Sequence, residues 1–263
     1  MLDNTTLIIP TVAIGNVPQL ATDLLIHTYL FQKVRVLSGR YLYPFASPRD
    51  TTGAAADGVS YSLELYYCKT LNVATIQQRS PVLSGHLGNF VKEVILPLIE
   101  SEKFARVVIL DSSDAGLLMR DTPWDEYFGA RAPEDAQTPS TFELYETEIN
   151  LSLTARLGGL KLHSDELSLE EEKLQHSSLY TRFVMRGLRE LSALGTDASH
   201  VLKVTALLTY VYEGDNFRDA EALASKVVDV LQLESAQWLK PVSWEGVYGQ
   251  RTIPDSMEEG IFG

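Results

Sequence analysis

At 263 residues, 45% of them apolar, the chain is long enough to bury a substantial core as one large or two small domains. A net charge of −13 without a visible basic face argues against a nucleic-acid or anionic-membrane surface and suits a partner with positive patches. Cys68 is the only cysteine, which excludes an intrachain disulfide and suits an intracellular setting, and neither a signal peptide nor a membrane span is expected from the apolar pattern.

Leu7 to Ile14 is an almost continuous apolar run with β-branched residues, the pattern of a strand buried on both faces and central in a sheet. Gly15-Asn16 breaks it, since both residues tolerate positive φ. A helix then follows, with Val17, Leu20, Ala21, Leu24 and Leu25 on one face, Pro18 in its first turn and Asn16 placed to cap it. Lys33–Leu37 and Arg40–Phe45 read as short extended segments, and Ser47–Gly58 has loop chemistry. Tyr61–Tyr67 and Asn72–Arg79 form a hairpin through Cys68–Leu71. Leu87, Phe90, Val91, Val94, Ile95 and Leu98 make a helical stripe whose last turn Pro97 loosens.

Ala105–Leu110 is a second buried strand, ending at Asp111-Ser112-Ser113-Asp114. Asp111–Ser140 reads as surface loop, Phe142–Ile149 as an alternating strand, and the Glu-rich Leu160–Gln175 as a solvated stretch. The last third reads as helical. Leu179–Leu191 marks one helix, and Val201–Tyr212, apolar almost all round, reads as a buried second one. Gly214 then suits a left-handed turn after that helix, Asn216 an N-cap, and Ala220, Leu223, Ala224, Val227 and Val228 the stripe of a third. The aromatic segment Trp238–Tyr248 is expected to pack over the sheet edge or the helices. No repeat or domain linker interrupts the chain. The expectation is a single α/β domain over residues 1–249, followed by a flexible tail over 250–263.

Little of this carries catalytic chemistry. One glycine at the first turn falls short of the dinucleotide fingerprint, so that turn is read as structural. His27, His86, His163, His176 and His200 show no metal spacing, and Cys68 reads as a plain core or edge cysteine; neither a cofactor nor a metal is expected. The best enzymatic candidate is Asp111 to Asp114 at the carboxyl end of a buried strand, joined by Arg79 as an anion contact. If those strand ends meet in one pocket, a hydrolase or phosphorylase reading gains ground. The other anomaly is Ile261-Phe262-Gly263. Two bulky apolar side chains close an otherwise polar tail, and with a terminal carboxylate they would form a compact plug for an apolar slot.

Four stretches together resemble the proteasome assembly chaperone 2 family, its fungal members especially. They are Gly15-Asn16-x-x-Gln19-Leu20 with Asp23, Ile76-Gln77-Gln78-Arg79-Ser80-Pro81, Glu213-Gly214-Asp215-Asn216 with Asp219-Ala220, and Lys240-Pro241-Val242-Ser243-Trp244 with Gly246-Val247-Tyr248-Gly249. The resemblance covers nearly the whole chain except Asp121–Ser177. It implies a single three-layer α/β/α domain similar to nucleoside phosphorylases, without a working active site. It also implies a heterodimer with proteasome assembly chaperone 1 on the α-subunit ring of the proteasome core particle. Fungal members carry a terminal hydrophobic–tyrosine–any residue motif that enters a pocket between α subunits. Ile261 and Gly263 match its outer positions, and Phe262 keeps the ring without the hydroxyl. The expected partners are therefore the companion chaperone and α subunits, with no nucleic acid and no membrane. The expected location is the cytoplasm, with the nucleus as a second compartment.

Overall fold

The computed structural model describes residues 2–52, 57–117, 142–151, 174–194 and 200–246. Among them a seven-stranded mixed sheet forms the middle layer. Its strands are β1 (Thr6–Pro10), β2 (Gln32–Val36), β5 (Leu63–Cys68), β6 (Val73–Gln78), β7 (Arg106–Asp114), β8 (Phe142–Leu151) and β9 (His200–Val211), and their spatial order is β2-β5-β6-β1-β7-β9-β8. β3 (Ala46–Pro48) and β4 (Val59–Tyr61) form a separate two-stranded flap. β1 is the fourth strand of seven and parallel to both neighbours, with Leu7 opposite Ala74 and Val107. That position explains why Leu7, Ile8 and Ile9 are all buried.

Helices cover both faces. α1 (Val17–Thr28) and α5 (Phe217–Leu231) lie on one, where Ala21, Leu24, Leu25, Leu223 and Val227 pack with Ile8, Val108 and Leu207. α2 (Leu87–Phe90), α3 (Leu96–Glu102) and α4 (Leu179–Leu194) lie on the other, where Phe90, Ile95, Val184 and Leu188 pack with Leu7, Ile9, Val107 and Ile109. The α/β class, the central first strand, the Cys68 hairpin and the apolar stripe of α5 agree with the sequence reading.

Four details differ. Val201–Tyr212 is not a helix; it lies almost wholly in β9, between β7 and β8. A strand buried on both faces is as continuously apolar as a buried helix, so periodicity does not separate them. The strand ending at Leu110 in the sequence reading instead runs to Asp114, since β9 is long enough to pair with it as far as Val211. Ahead of Pro97 the helix widens into a π turn over Val91–Ile95, where the Leu96 N–H reaches back to the Val91 carbonyl, and it continues past the proline to Glu102. Finally, Asn16 and Asn216 occupy N-cap positions, yet neither side chain caps its helix.

Candidate functional site

The described residues of the four signature segments converge on two places around α1. The first joins α1 to the end of β6. The Asp23 carboxylate receives both Arg79 Nη atoms at 2.7 and 2.8 Å and the Gln77 amide at 2.6 Å. Gln77 also donates to the Gln19 carbonyl, and Gln19 Nε2 donates to the Gln78 carbonyl. Strand alternation explains the geometry, because Gln77 and Arg79 leave the sheet on the α1 side while Ile76 enters the opposite core. Burial works against the Arg79 charge, but the adjacent Asp23 carboxylate outweighs it and holds the guanidinium more firmly protonated than usual.

The second place is the turn before α1. Gly15 and Asn16 have φ of +66° and +52°, and a Cβ on Gly15 would stand 2.6 Å from Asn216 Cγ. Asn216 is buried; its amide donates to the Tyr212 carbonyl at 2.8 Å and to Asp219 at 3.2 Å, while Asp215 Oδ1 accepts the Phe217 N–H. The turn at Gly214 therefore follows a strand rather than a helix, with φ +155° and open space where a Cβ would be. Nearby, Trp244 stacks on Phe217 with ring centroids 4.4 Å apart, and Lys240 pairs with Glu221 at 2.7 Å. The first and third signatures thus bring the starts of α1 and α5 together, and Lys240 and Trp244 of the fourth brace α5.

Asp111 lies on the other side of the sheet, on the same face as Val107 and Ile109. Its carboxylate accepts from Thr11 Oγ1 at 2.7 Å, the Ser112 N–H at 3.0 Å, the Ser178 N–H at 2.7 Å and Thr181 Oγ1 at 2.6 Å. Burial pushes this carboxyl above its usual range, and those hydrogen bonds oppose the rise. Ser178 also accepts the Thr181 N–H, so a carboxylate and a hydroxyl together satisfy the start of α4. Arg79 and Asp111 therefore face opposite layers. The cavities that Arg79 lines, about 300 and 530 Å³, take in His27, Arg49, Asp50 and Thr51 but none of Asp111 to Asp114. The single pocket that the enzymatic alternative requires is not formed by these residues.

In the smaller cavity burial lowers the proton affinity of His27 against the pull of Asp23 and Asp50. Tyr66, which also lines that cavity, donates its hydroxyl to buried Glu64, which takes the Tyr61 N–H as well and pairs with Lys33 at 2.5 Å. Among the described residues no group of three or more His, Cys, Asp or Glu side chains is placed to hold a metal ion, and no helix is long and apolar enough to cross a membrane. Cys68 is buried beside the Tyr29 carbonyl. Ile261, Phe262 and Gly263 lie outside the described residues, as does most of Asp121–Ser177.

One feature had no signal in the sequence. α1 ends with the Phe31 N–H on the Ile26 carbonyl, which places Leu30 at φ +54° with its side chain 70% exposed. Glycine usually occupies that position.

A mixed sheet covered by helices on both faces, with Arg79 and Asp111 held by internal partners on opposite sides of it, defines an α/β protein of three layers. The chain belongs to the PAC2 family, whose model matches residues 7–227. Curated relatives include proteasome assembly chaperone 2 from Saccharomyces cerevisiae, 24% identical over 95% of this chain and 96% of that one. The Danio rerio protein of the same name is 29% identical over 95% and 93%. Among solved structures, Pyrococcus furiosus PbaA, described as an archaeal homolog of proteasome-assembly chaperone, superposes with a TM-score of 0.54 at 14% identity over 89% of this chain and 80% of that one. A proteasome-assembly chaperone homologue from Mycobacterium tuberculosis gives 0.50 at 13% identity, over 88% and 87%.

Proposed function

We propose that the protein is a non-enzymatic chaperone for assembly of the proteasome core particle. It works as a heterodimer with proteasome assembly chaperone 1 on the α-subunit ring, in the cytoplasm and nucleus. The observation that carries the reading is family membership spanning the domain, together with full-length similarity to relatives named for that role. The geometry supports a binding role as well. Arg79 and Asp111, the residues best suited to chemistry, are committed to internal partners on opposite faces of the sheet.

In this reading Ile261, Phe262 and Gly263 enter a pocket between α subunits, and the residues before them act as a tether that raises the plug's local concentration. The test is co-sedimentation of the purified heterodimer with core-particle precursors, and complementation of an assembly defect. Ile261→Ala with Phe262→Ala should weaken precursor binding without lowering thermal stability or breaking the heterodimer, and Phe262→Tyr should bind at least as well as the unaltered chain. Asp111→Asn with Asp114→Asn should still complement. Loss of function in that variant, with folding and partner binding intact, would restore the enzymatic reading. Equal precursor binding by the tail variant would refute the plug.

A further inference from the structure

The flap formed by β3 and β4 is fastened to the molecule at two places of different kinds. Its root is tied to the sheet. The Tyr61 N–H donates to Glu64 Oε1 at 3.2 Å, the Ser62 carbonyl accepts the Arg79 N–H at 2.9 Å, and the Ser80 hydroxyl donates to the Tyr43 carbonyl at 2.8 Å. Its tip, Arg49 to Thr51, is tied to the C-terminal segment instead. The Val242 N–H donates to the Thr51 carbonyl at 2.6 Å. The Ser243 N–H and hydroxyl donate to Asp50 Oδ1 and Oδ2 at 3.3 and 2.5 Å. Between root and tip the long Lys33 side chain reaches the Val59 carbonyl at 3.0 Å and is free to follow it.

Burial does little to fix the flap. Two paired strands of three residues each are marginal without packing, and of these six residues only Ser60 is buried. Beneath the tip lie the two cavities, which share Arg49, Asp50, Thr51, Ser60 and Arg79. The larger is completed by Ser47 and Pro48 of β3 and by Val242 and Ser243. An element with few buried apolar contacts, held mainly by hydrogen bonds near the surface, opens at a much lower free energy than the core.

The C-terminal segment, by contrast, is anchored on both sides of Val242-Ser243. Tyr29 OH donates to the Glu234 carbonyl at 2.7 Å, and the Leu239 N–H donates to Thr28 Oγ1 at 3.0 Å. Beyond Ser243, Trp244 stacks on Phe217 and is 8% exposed. We infer that the flap is a lid over the Arg79 side of the sheet and that Val242-Ser243 is its latch. With the latch released, the lid turns about its root at Tyr43 and Tyr61–Ser62, joins the two cavities and admits solutes to the space beside Arg79. The Asp23–Arg79 pair stays in place as it does so, because its members belong to α1 and to the end of β6. Access to this side of the sheet is thus set by a segment 193 residues along the chain from the lid's tip.

The experiment uses the full chain carrying Cys68→Ala and Ser60→Cys, which leaves a single thiol on the buried side of the lid. Labelling by a small maleimide should be slow with the latch intact. Asp50→Ala in this background should speed it about tenfold, as expected for loss of hydrogen bonds to a charged acceptor. Val242→Pro, which removes the donor to Thr51, should also speed it. Hydrogen exchange gives a second readout in a chain that keeps Cys68 and Ser60. There Asp50→Ala should quicken the amides of Ala46–Thr51 and Val59–Tyr61 and leave those of β1 and β6 unchanged. If Ser60→Cys fails to fold, exchange decides alone. Unaltered labelling and flap exchange in Asp50→Ala would overturn the lid, as would a thiol that reacts like a free cysteine while the latch is intact. Equal acceleration in β1 would overturn it too, since the contacts would then hold the whole domain together rather than the lid.

Discussion

Removing the Asp23 carboxylate while keeping Arg79 tests the account of the α1–β6 junction most directly. Asp23 is 3% exposed and the Arg79 side chain 19% exposed, so Asp23→Ala strands a guanidinium with little water to replace its partner. The Gln77 amide loses its 2.6 Å acceptor at the same time. Breaking a buried pair from one side costs about 3–5 kcal/mol. Because Arg79 keeps some access to water, the lower end applies, about 3 kcal/mol. In a chain of this size each kcal/mol moves the melting midpoint by about 2–4 °C, so a fall of about 6–12 °C is expected. Asp23→Leu with Arg79→Met removes both charges and keeps the volume, and should recover about 2 kcal/mol relative to Asp23→Ala. The remaining loss, about 1 kcal/mol, is the unpaired Gln77 donor. Urea unfolding followed by tryptophan fluorescence and circular dichroism supplies the three free energies. The reasoning fails if Asp23→Ala costs less than about 1 kcal/mol, or if the double variant is no more stable than the single one.

Asp111 provides a pH test. Its folded carboxyl titrates above the unfolded value, so the contribution is complete at acid pH and declines as pH rises through the folded value. Stability measured against Asp111→Asn should therefore fall as pH rises above the ordinary carboxylate range; a flat difference would contradict the burial argument. Gly15→Ala and Gly214→Ala both meet positive φ, but only the first also drives a Cβ to 2.6 Å from a held side chain. The expected cost is about 1–3 kcal/mol at Gly214 and more at Gly15, and equal melting midpoints would refute the contact. Trp244→Ala removes the ring stacked on Phe217 and should destabilise by about 3 kcal/mol, read by chemical denaturation. A change under about 1 kcal/mol would show that the C-terminal segment does not brace α5.

The parts of the fold that depend on local chemistry were legible. An apolar run before Gly-Asn gives a buried strand and a turn, and the stripe from Ala220 to Val228 gives α5 because burial repeats at the helical period. β9 was misread because a strand wedged between β7 and β8 has no polar face to reveal its period of two. Its β-branched content, Val201, Val204, Thr205, Thr209 and Val211, was the available counter-signal. The signature residues were visible one segment at a time, but their purpose depends on contacts between distant positions. Gly15 must be small because Asn216 occupies its Cβ space, and Arg79 is unavailable to a ligand because Asp23 claims it. Leu30 gave no signal, since its left-handed backbone is imposed by the way α1 joins β2.

The placement of α5 over α1 also governs how this chain leaves the ribosome. α1 is complete at Thr28, whereas the helix that covers much of its apolar stripe ends at Leu231, about 200 residues later. At typical translation speeds of about 5–20 residues per second, that surface waits roughly 10–40 s for its cover. During the same interval β7 lacks β9, its long parallel neighbour, so one side of the nascent sheet stays open. A protein with this topology reaches its native core only once α5 has been made, and products truncated before it by stalled ribosomes would present adhesive helical and strand surfaces to the cell's quality-control machinery.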